Sequence, residues 1–383
     1  MMRKFFGVLF IALCGMTSCT VEDGEGATDT AGLHDVYIKF ENAGMPGTRA
    51  EEAAKTGTDK VTFTNGYLFF LTGQDQVKKC YHIMPAGVAA NKANYEIALT
   101  DFWGGASGSG YLFENVSGEV KKVYLIGNMP DEITEPNIRS ITTLSELKKL
   151  AAGIETQKDV DEVLIDGLDD NLQSDPSDAT QQTANITLTP LCSRIEIAKL
   201  TAGGNVTAYT LTGIYVSHFY SKMAFNETPD ALDLKKYATA GGADYSVYAP
   251  LCDQPKGAAT SIGSQSGLVT TPSVANDVWA YQFFPGKGAS RVPPRIVIKL
   301  RGVAASVGAF DPTKDYYLNI RGFKTPGAGN VDPMSLERGK VYKIMDVPFL
   351  ENDISDIPNP EDINLTVNVT IAEWVIETVE PVM

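Results

Sequence analysis

Apolar and polar residues alternate along most of this chain with the period of a β-strand. Near the start, Val36, Ile38 and Phe40 share one face while Tyr37 and Lys39 share the other, which is typical of a strand with one buried side. Similar segments, rich in β-branched and aromatic residues, recur along the whole sequence. They lie at 61–71, 80–85, 95–102, 120–130, 185–191, 193–200, 209–220, 278–286, 294–302, 316–323, 339–349 and 363–374. The pattern predicts an all-β chain of the sandwich type.

One segment breaks this period and predicts a minor helix. Thr143 is followed three residues later by Glu146, the spacing of an N-terminal capping box. Leu144, Leu147 and Leu150 then recur at helical intervals. We expect this helix to pack on one sheet of the first half of the chain.

The last strand-like segment has the cleanest alternation of all. Within 363–380, Leu365, Val367, Val369 and Ile371 point one way, and the residues between them are Thr or Asn. The register breaks at 372–373 and resumes at Trp374. For a generic protein, such a terminal strand is an edge strand of its own domain.

Length and charge limit the architecture and the partners. With 383 residues, 43% of them hydrophobic, the chain is long enough for two domains with separate cores. An acidic, turn-rich stretch at 166–180 lacks the spacing of a calcium loop and is interpreted as the approach to a domain boundary. We expect one β-sandwich at 50–186 and a second at 187–383. A net charge of -15 argues against nucleic acid as a partner.

The first residues predict an exported protein. Arg3 and Lys4 precede an apolar run at 5–13 that is too short to span a bilayer. The sequence MTSC at 16–19 resembles the bacterial lipobox, so 1–19 is interpreted as a lipoprotein signal and Cys19 as the acylated residue. The alternative is a plain secretory signal that contains a cysteine by chance.

Residues with catalytic or metal-binding chemistry are sparse. The three histidines are not spaced as metal ligands, and no hydrolase, zinc-protease or nucleotide-binding motif is present. Cys80, Cys192 and Cys252 have no metal-like spacing and are expected to be free thiols. Of the tryptophans, Trp279 lies in a dense apolar run and is expected in the core, which leaves Trp103 as a candidate exposed platform for a sugar ring. The sequence predicts no enzyme and no cofactor.

Several motifs together resemble the fimbrillins of the Bacteroidetes, the FimA-like major fimbrial subunits. They occur in order along the chain: MTSC at 16–19, GTRA at 47–50, VKKVYLIGNMP at 120–130, LTPLCSRIEIAKL at 188–200, LERGKVYKIMDV at 336–347 and LTVNVTIAEWVIE at 365–377. The resemblance spans nearly the whole chain. It implies two transthyretin-like β-sandwich domains and a lipoprotein precursor held at the outer membrane.

The resemblance also implies how the chain is processed. An arginine-specific protease would cut between Arg49 and Ala50 and remove a propeptide, 20–49, whose strand fills a groove in the first domain. The plug residues would be Val36, Ile38 and Phe40. A C-terminal strand of a neighbouring subunit would then take the vacated groove, with these donor residues: Leu365, Val367, Val369, Ile371 and Trp374. Partners would be other copies of the chain, related fimbrial subunits and the protease, and the destination a cell-surface fimbria.

Three other interpretations of the sequence are open. Without the resemblance, Arg49 is a solvated linker residue, since the loop around it is rich in Gly and Pro. The chain as a whole could instead be a monomeric surface lipoprotein that binds glycans. A pair of carboxylates acting as a glycosidase is a third, weaker interpretation.

Overall fold

The computed structural model is an all-β protein, as the alternation predicts. It describes residues 32–40, 43–44, 55–56, 61–103, 110–129, 135–157, 162–174, 178, 180–227, 234–235, 252–253, 268–272, 277–285, 294–325, 329–331, 336–358, 365–373 and 376–378. Strands are numbered β1 to β31 and helices α1 to α3 in chain order.

The first half of the chain forms a β-sandwich of two sheets. One sheet has the order β12-β13-β1-β8, with these bounds: β1 Leu33–Phe40, β8 Tyr111–Ser117, β12 Gln173–Ser174 and β13 Gln181–Ile186. The other has the order β14-β11-β9-β5-β6-β7, with these bounds: β5 Gly66–Thr72, β6 Val77–Met84, β7 Glu96–Ala98, β9 Val120–Gly127, β11 Ile165–Asp169 and β14 Thr189–Pro190. Phe70 of β5 and Phe113 of β8 meet edge to face, their ring centroids 5.1 Å apart, so the apolar faces of the two sheets are packed together.

The second half forms another sandwich. Its first sheet has the order β3-β23-β15-β27-β30, in which β3 comes from the first half of the chain; the bounds are β3 Lys55–Thr56, β15 Ser193–Ile197, β23 Asp277–Phe283, β27 Lys340–Ile344 and β30 Thr370–Glu373. Its second has the order β21-β17-β24-β25-β26, with β29 also paired to β25; the bounds are β17 Val206–Ser217, β21 Cys252–Asp253, β24 Arg295–Ala305, β25 Asp315–Thr325, β26 Gly329–Val331 and β29 Leu365–Asn368. All five residues of β15 are buried, as expected of a central strand covered on both faces.

Smaller sheets complete the fold. One is three-stranded, β22-β16-β28, with bounds β16 Leu200–Ala202, β22 Leu268–Thr270 and β28 Val347–Phe349. Two are two-stranded pairs: β10 Ala151–Gly153 with β19 Lys222–Ala224, and β18 Phe219–Tyr220 with β20 Leu234–Lys235. The last, β2-β31-β4, joins distant parts of the sequence and consists of β2 Ala43–Gly44, β4 Val61–Phe63 and β31 Ile376–Thr378.

The helices are short, and the capping box fixes the start of the predicted one. The three α-helices of the described part are α1 Leu99–Phe102, α2 Glu135–Arg139 and α3 Leu144–Leu147. Thr143 caps α3 by accepting a hydrogen bond from the amide of Glu146, 3.2 Å away. Leu144 and Leu147 are buried beneath it. None of these helices is long or apolar enough to cross a membrane.

Several of the predicted strands are broken, and two of them illustrate how. The segment 61–71 forms β4 and β5, which belong to different sheets and are separated by residues 64–65, which lie in neither strand. The segment 95–102 is a strand only in its first part, since Leu99–Phe102 is helical. In both places the spacing of the apolar residues does not reveal where the first strand ends.

A partly buried polar contact links the two halves of the chain. The polypeptide passes from β14 to β15, a few residues after the boundary predicted at 186/187. The Arg338 guanidinium donates to the carbonyl oxygens of Pro190 and Thr189 and pairs with the carboxylate of Asp166. That carboxylate also accepts from the Tyr124 hydroxyl at 2.7 Å. Burial and the Asp166 charge raise the pKa of Tyr124 well above its ordinary value, so the hydroxyl stays a donor.

Candidate functional site

Strand β1 is inserted between two other strands of its sheet. From Asp35 to Phe40 it pairs in parallel with β13, and from Leu33 to Ile38 it pairs antiparallel with β8. At an irregularity in the second ladder, the Asp35 carboxylate accepts a hydrogen bond from the backbone amide of Asn115, 3.0 Å away. Both backbone edges of β1 are therefore used, whereas an edge strand uses one.

The side chains of β1 follow the predicted alternation. Val36 and Ile38 are wholly buried, Tyr37 is half-buried, and Lys39 is exposed. Burying the two aliphatic side chains contributes about 3–6 kcal/mol of gross hydrophobic stabilisation. A strand that sits between β8 and β13 is thus held by two hydrogen-bond ladders and by the core.

The end of β1 packs into a cluster of aromatic rings. The half-buried Phe40 has its ring centroid 4.3 Å from that of Trp103 and 5.5 Å from that of Phe102. Phe63 of β4 lies on the other side, 5.2 Å from Trp103. Phe102 and Phe63 have no exposed surface. We call these four residues the aromatic cluster.

The prediction that Trp103 forms an exposed sugar platform is wrong. Trp103 is only 6% exposed, because Phe40, Phe63 and Phe102 surround its ring. Two of these neighbours are far away in sequence, so the Gly-rich run that follows Trp103 gave no hint of its burial. Trp279 is a core residue, as predicted, with 3% of its surface exposed.

Gly110 allows the backbone of β1 to approach closely. It precedes β8 and has φ +117, a conformation that side chains disfavour. A Cβ atom at this position would collide with the carbonyl oxygen of Ile38. The backbone just before β8 therefore lies too close to β1 to leave room for a side chain. The glycine itself was the only feature of the sequence that indicated this close approach.

The C-terminal alternating segment lies on the edges of its own chain's sheets. β29 pairs in parallel with β25, and β30 pairs antiparallel with β27. Leu365, Val367 and Val369 are buried, and the residues between them are exposed. Because β25 and β27 belong to different sheets, the segment crosses from one sheet to the other at Val369. Among the described strands, each half has one partner, in contrast to the two partners of β1.

The extreme C-terminal strand contacts the first half of the chain. β31 lies between β2 and β4 and runs parallel to both. Ala43 is opposite Ile376, and Val61 is opposite Ile376 on the other side. Sequence reasoning did not find this arrangement, since the short strand β2 carries no periodic pattern.

Some predicted residues lie outside the described part of the chain. These are Cys19, Arg49, Ala50 and Trp374. The backbone of Ile371 is opposite that of Tyr342 in β27, while its side chain is not described. The structure therefore places Val36, Ile38, Phe40, Leu365, Val367 and Val369 of the predicted plug and donor sets.

Metal-ligating side chains do not form a cluster at β1 within the described part of the chain. The described residues include no set of three or more His, Cys, Asp or Glu side chains arranged to hold a metal ion. Cys192 is a free, fully buried thiol, and burial raises its pKa to about 12. What the arrangement around β1 offers is a socket for an extended backbone rather than a reacting group.

Known structures with this architecture include bacterial cell adhesion proteins. A candidate cell adhesion protein from Bacteroides eggerthii DSM 20697 is 14% identical, with a TM-score of 0.51 over 91% of this chain and 98% of that one. Another, from Parabacteroides distasonis ATCC 8503, is 10% identical, with a TM-score of 0.50 over 92% and 98%. The chain shares the fold of these proteins. A fimbrilin from Porphyromonas gingivalis W83 is 11% identical, with a TM-score of 0.49 over 90% and 99%.

The likeness confirms the predicted fold and is limited to the fold. The matched structures are covered almost completely, so the likeness extends over the whole architecture. No protein-family sequence model and no curated protein sequence matches the chain. At 14% identity and below, the common feature is the arrangement of the strands.

Proposed function

We propose that this chain is a structural subunit of a cell-surface fimbria and that it assembles by strand exchange after cleavage at Arg49. The observation that supports this best is the position of β1. A strand from the segment before Arg49 occupies a central place in a sheet, with Val36 and Ile38 wholly buried. A cut at Arg49 would leave this strand without a covalent tie to the rest of the sandwich.

The difference in pairing between β1 and the C-terminal segment favours transfer of that segment into a neighbour's vacated groove. A vacated groove would leave β8 and β13 with unpaired backbone groups above an apolar floor, which is a template for strand addition. Within the part of the chain that the structure describes, each half of the C-terminal segment has one hydrogen-bond ladder, and it would gain a second in a neighbour's groove. Its four inward residues, Leu365 to Ile371, would contribute about 6–12 kcal/mol of gross hydrophobic stabilisation when buried there. The entropy cost of ordering the segment and the loss of its contacts with its own subunit reduce this gain.

Covalent attachment explains why the exchange would wait for the protease. While the tether is intact, the effective concentration of β1 at its groove is high, and an outside strand competes poorly. Cleavage removes this advantage, so it acts as the switch. The assignments of Arg49 and Ala50 as the cut site and of Cys19 as the lipid acceptor rest on the sequence resemblance, as does anchoring of the precursor at the outer membrane.

The glycan-binding interpretation has lost its main argument. It depended on Trp103 as an exposed platform, and this ring is buried under Phe40. In the proposed role, the partners are other copies of the chain, related subunits and the arginine-specific protease. The role is structural and calls for no catalytic residue and no cofactor.

The direct test compares three proteins, each beginning at Thr20. The wild-type chain, an Arg49→Ala variant and a chain truncated before Asn364 are treated with an arginine-specific protease, and the new N-terminus is determined. Concentration-dependent filaments are then sought by electron microscopy and sedimentation. We expect filaments only from the wild type, because the first variant keeps its plug and the second lacks a donor strand. A correctly cut wild type that stays monomeric after its propeptide has left would contradict the proposal.

A further inference from the structure

We infer that the propeptide holds the C-terminal strand as well as filling the groove, so that one cut frees the donor and the acceptor of the same subunit. The inference deepens the proposed function and rests on it. It is carried by β2, which follows β1 by two residues and is parallel to β31. The C-terminal segment thus has direct contact with the part of the chain that the protease would remove.

In the sheet β2-β31-β4, the pairing with β2 supplies one of the two neighbours of β31. Ala43 and Gly44 are opposite Ile376 and Glu377 on one side of β31, and β4 pairs with it on the other. With β2 present, β31 has two neighbours. Without β2, it becomes an edge strand of three residues on a single partner, and such a short pairing is marginal.

The plug supports the same sheet by a second route. Phe40 packs on Trp103, and Trp103 packs on Phe63 of β4. Removal of β1 would therefore open the aromatic cluster on which β4 rests. Both consequences follow from one event, the loss of residues up to Arg49.

A second set of contacts to β4 does not involve the propeptide. The buried Asn128 amide donates to the carbonyl oxygen of Thr62, 2.6 Å away, and to that of Val163 at 2.9 Å. Its oxygen accepts from the amide of Thr64 at 2.8 Å. Because Asn128 ties β4 to the end of β9, loss of β2 is expected to release β31 rather than to displace β4.

The pairing of β31 with β2 would prevent the uncut chain from donating its C-terminal strand to a neighbour. In the uncut chain, the end of the C-terminal segment is held at the first sandwich while the rest lies on β25 and β27. After the cut, the end nearest the C-terminus is freed first, and peeling of β30 and β29 can start there. A subunit would then offer its strand only when its own groove is ready to receive one.

The test measures amide hydrogen exchange in the chain that begins at Thr20, uncut and without a protease. An Ala43→Pro/Gly44→Pro variant removes both amide hydrogens of β2 and leaves the plug sequence intact. The control carries Ala27→Pro and Thr28→Pro, in the propeptide ahead of β1. We expect exchange in peptides covering 376–378 to rise about tenfold in the first variant, the factor that corresponds to about 1.4 kcal/mol. The control should match the wild type, and β8 and β13 should stay protected in both variants.

Unchanged exchange at 376–378 in a folded Ala43→Pro/Gly44→Pro variant would overturn the inference. The cut wild type, measured after its propeptide has dissociated and kept too dilute to assemble, gives a second measurement if that variant does not fold. Faster exchange in β8, β13 and 376–378 supports the inference. Faster exchange in β8 and β13 alone rejects it but leaves strand exchange standing, whereas unchanged β8 and β13 after the cut contradicts the proposed function itself.

Discussion

The retention of the plug after cleavage should depend strongly on Ile38. This side chain is wholly buried in the middle of β1, so Ile38→Ala costs about 2–5 kcal/mol through lost burial and the cavity left behind. In the uncut chain the loss lowers the free energy of unfolding. Once the propeptide is a separate peptide, the same loss weakens its binding by about 30-fold to a few thousandfold, mostly through faster dissociation.

The assay follows the cut protein at a concentration too low for assembly. Propeptide still bound after gel filtration is quantified by mass spectrometry at increasing times. Lys39→Ala is the matched control, because its side chain is exposed on the same strand. We expect fast release from Ile38→Ala and wild-type release from Lys39→Ala. Equal release rates for the two variants would refute the claim that burial of β1 holds the plug.

Three further changes test other parts of the structure. Gly110→Ala should lower the free energy of unfolding by about 1–3 kcal/mol, owing to its φ of +117 and the collision with Ile38; an unchanged denaturation midpoint would contradict the close approach. Asn128→Ala should cost about 2–4 kcal/mol, since it leaves the buried carbonyl of Val163 and the amide of Thr64 without this partner; a loss below 1 kcal/mol would argue against its role. Cys192→Ala tests linkage to pH: burial raises the pKa of this thiol from 9.0 to about 12, so its contribution is complete below pH 9 and declines above it. The wild type should lose about 1.4 kcal/mol more stability than the variant between pH 8 and pH 10, and parallel pH profiles would contradict this.

The sequence predicted those features that depend on local pattern. The alternation of Val36 and Ile38 predicted a half-buried strand, and the same pattern from Leu365 to Val369 predicted the buried face seen in the structure. The capping box at Thr143 predicted the start of a helix. In each case the signal lies within a few residues, where periodicity and side-chain capping act directly.

Features that depend on distant contacts were not predictable in this way. Trp103 is buried because Phe40 and Phe63 come together in the fold, and its own neighbourhood of glycines suggested exposure. The continuous pattern at 363–374 does not show that the segment changes sheets at Val369. Nor does any local pattern mark Arg338 as the residue that ties the two halves at Asp166.

The central claim is that the C-terminal strand of a neighbouring subunit takes the place of β1. Cross-linking between subunits tests this claim most directly. Leu112 of β8 is exposed and lies opposite Tyr37 of the plug, so Leu112→Cys reports on the strand that fills the groove. A second chain carries one cysteine at an exposed position of the donor: Thr366→Cys, Asn368→Cys or Thr370→Cys in turn. The native cysteines of the body are replaced in both chains.

The two chains are mixed, cut and oxidised, beside an uncut mixture. The account predicts a disulfide between Leu112→Cys of one chain and at least one of the three donor positions of the other, formed only after cleavage. Absence of this disulfide across the whole donor series, or its formation to the same extent in the uncut mixture, would contradict strand exchange.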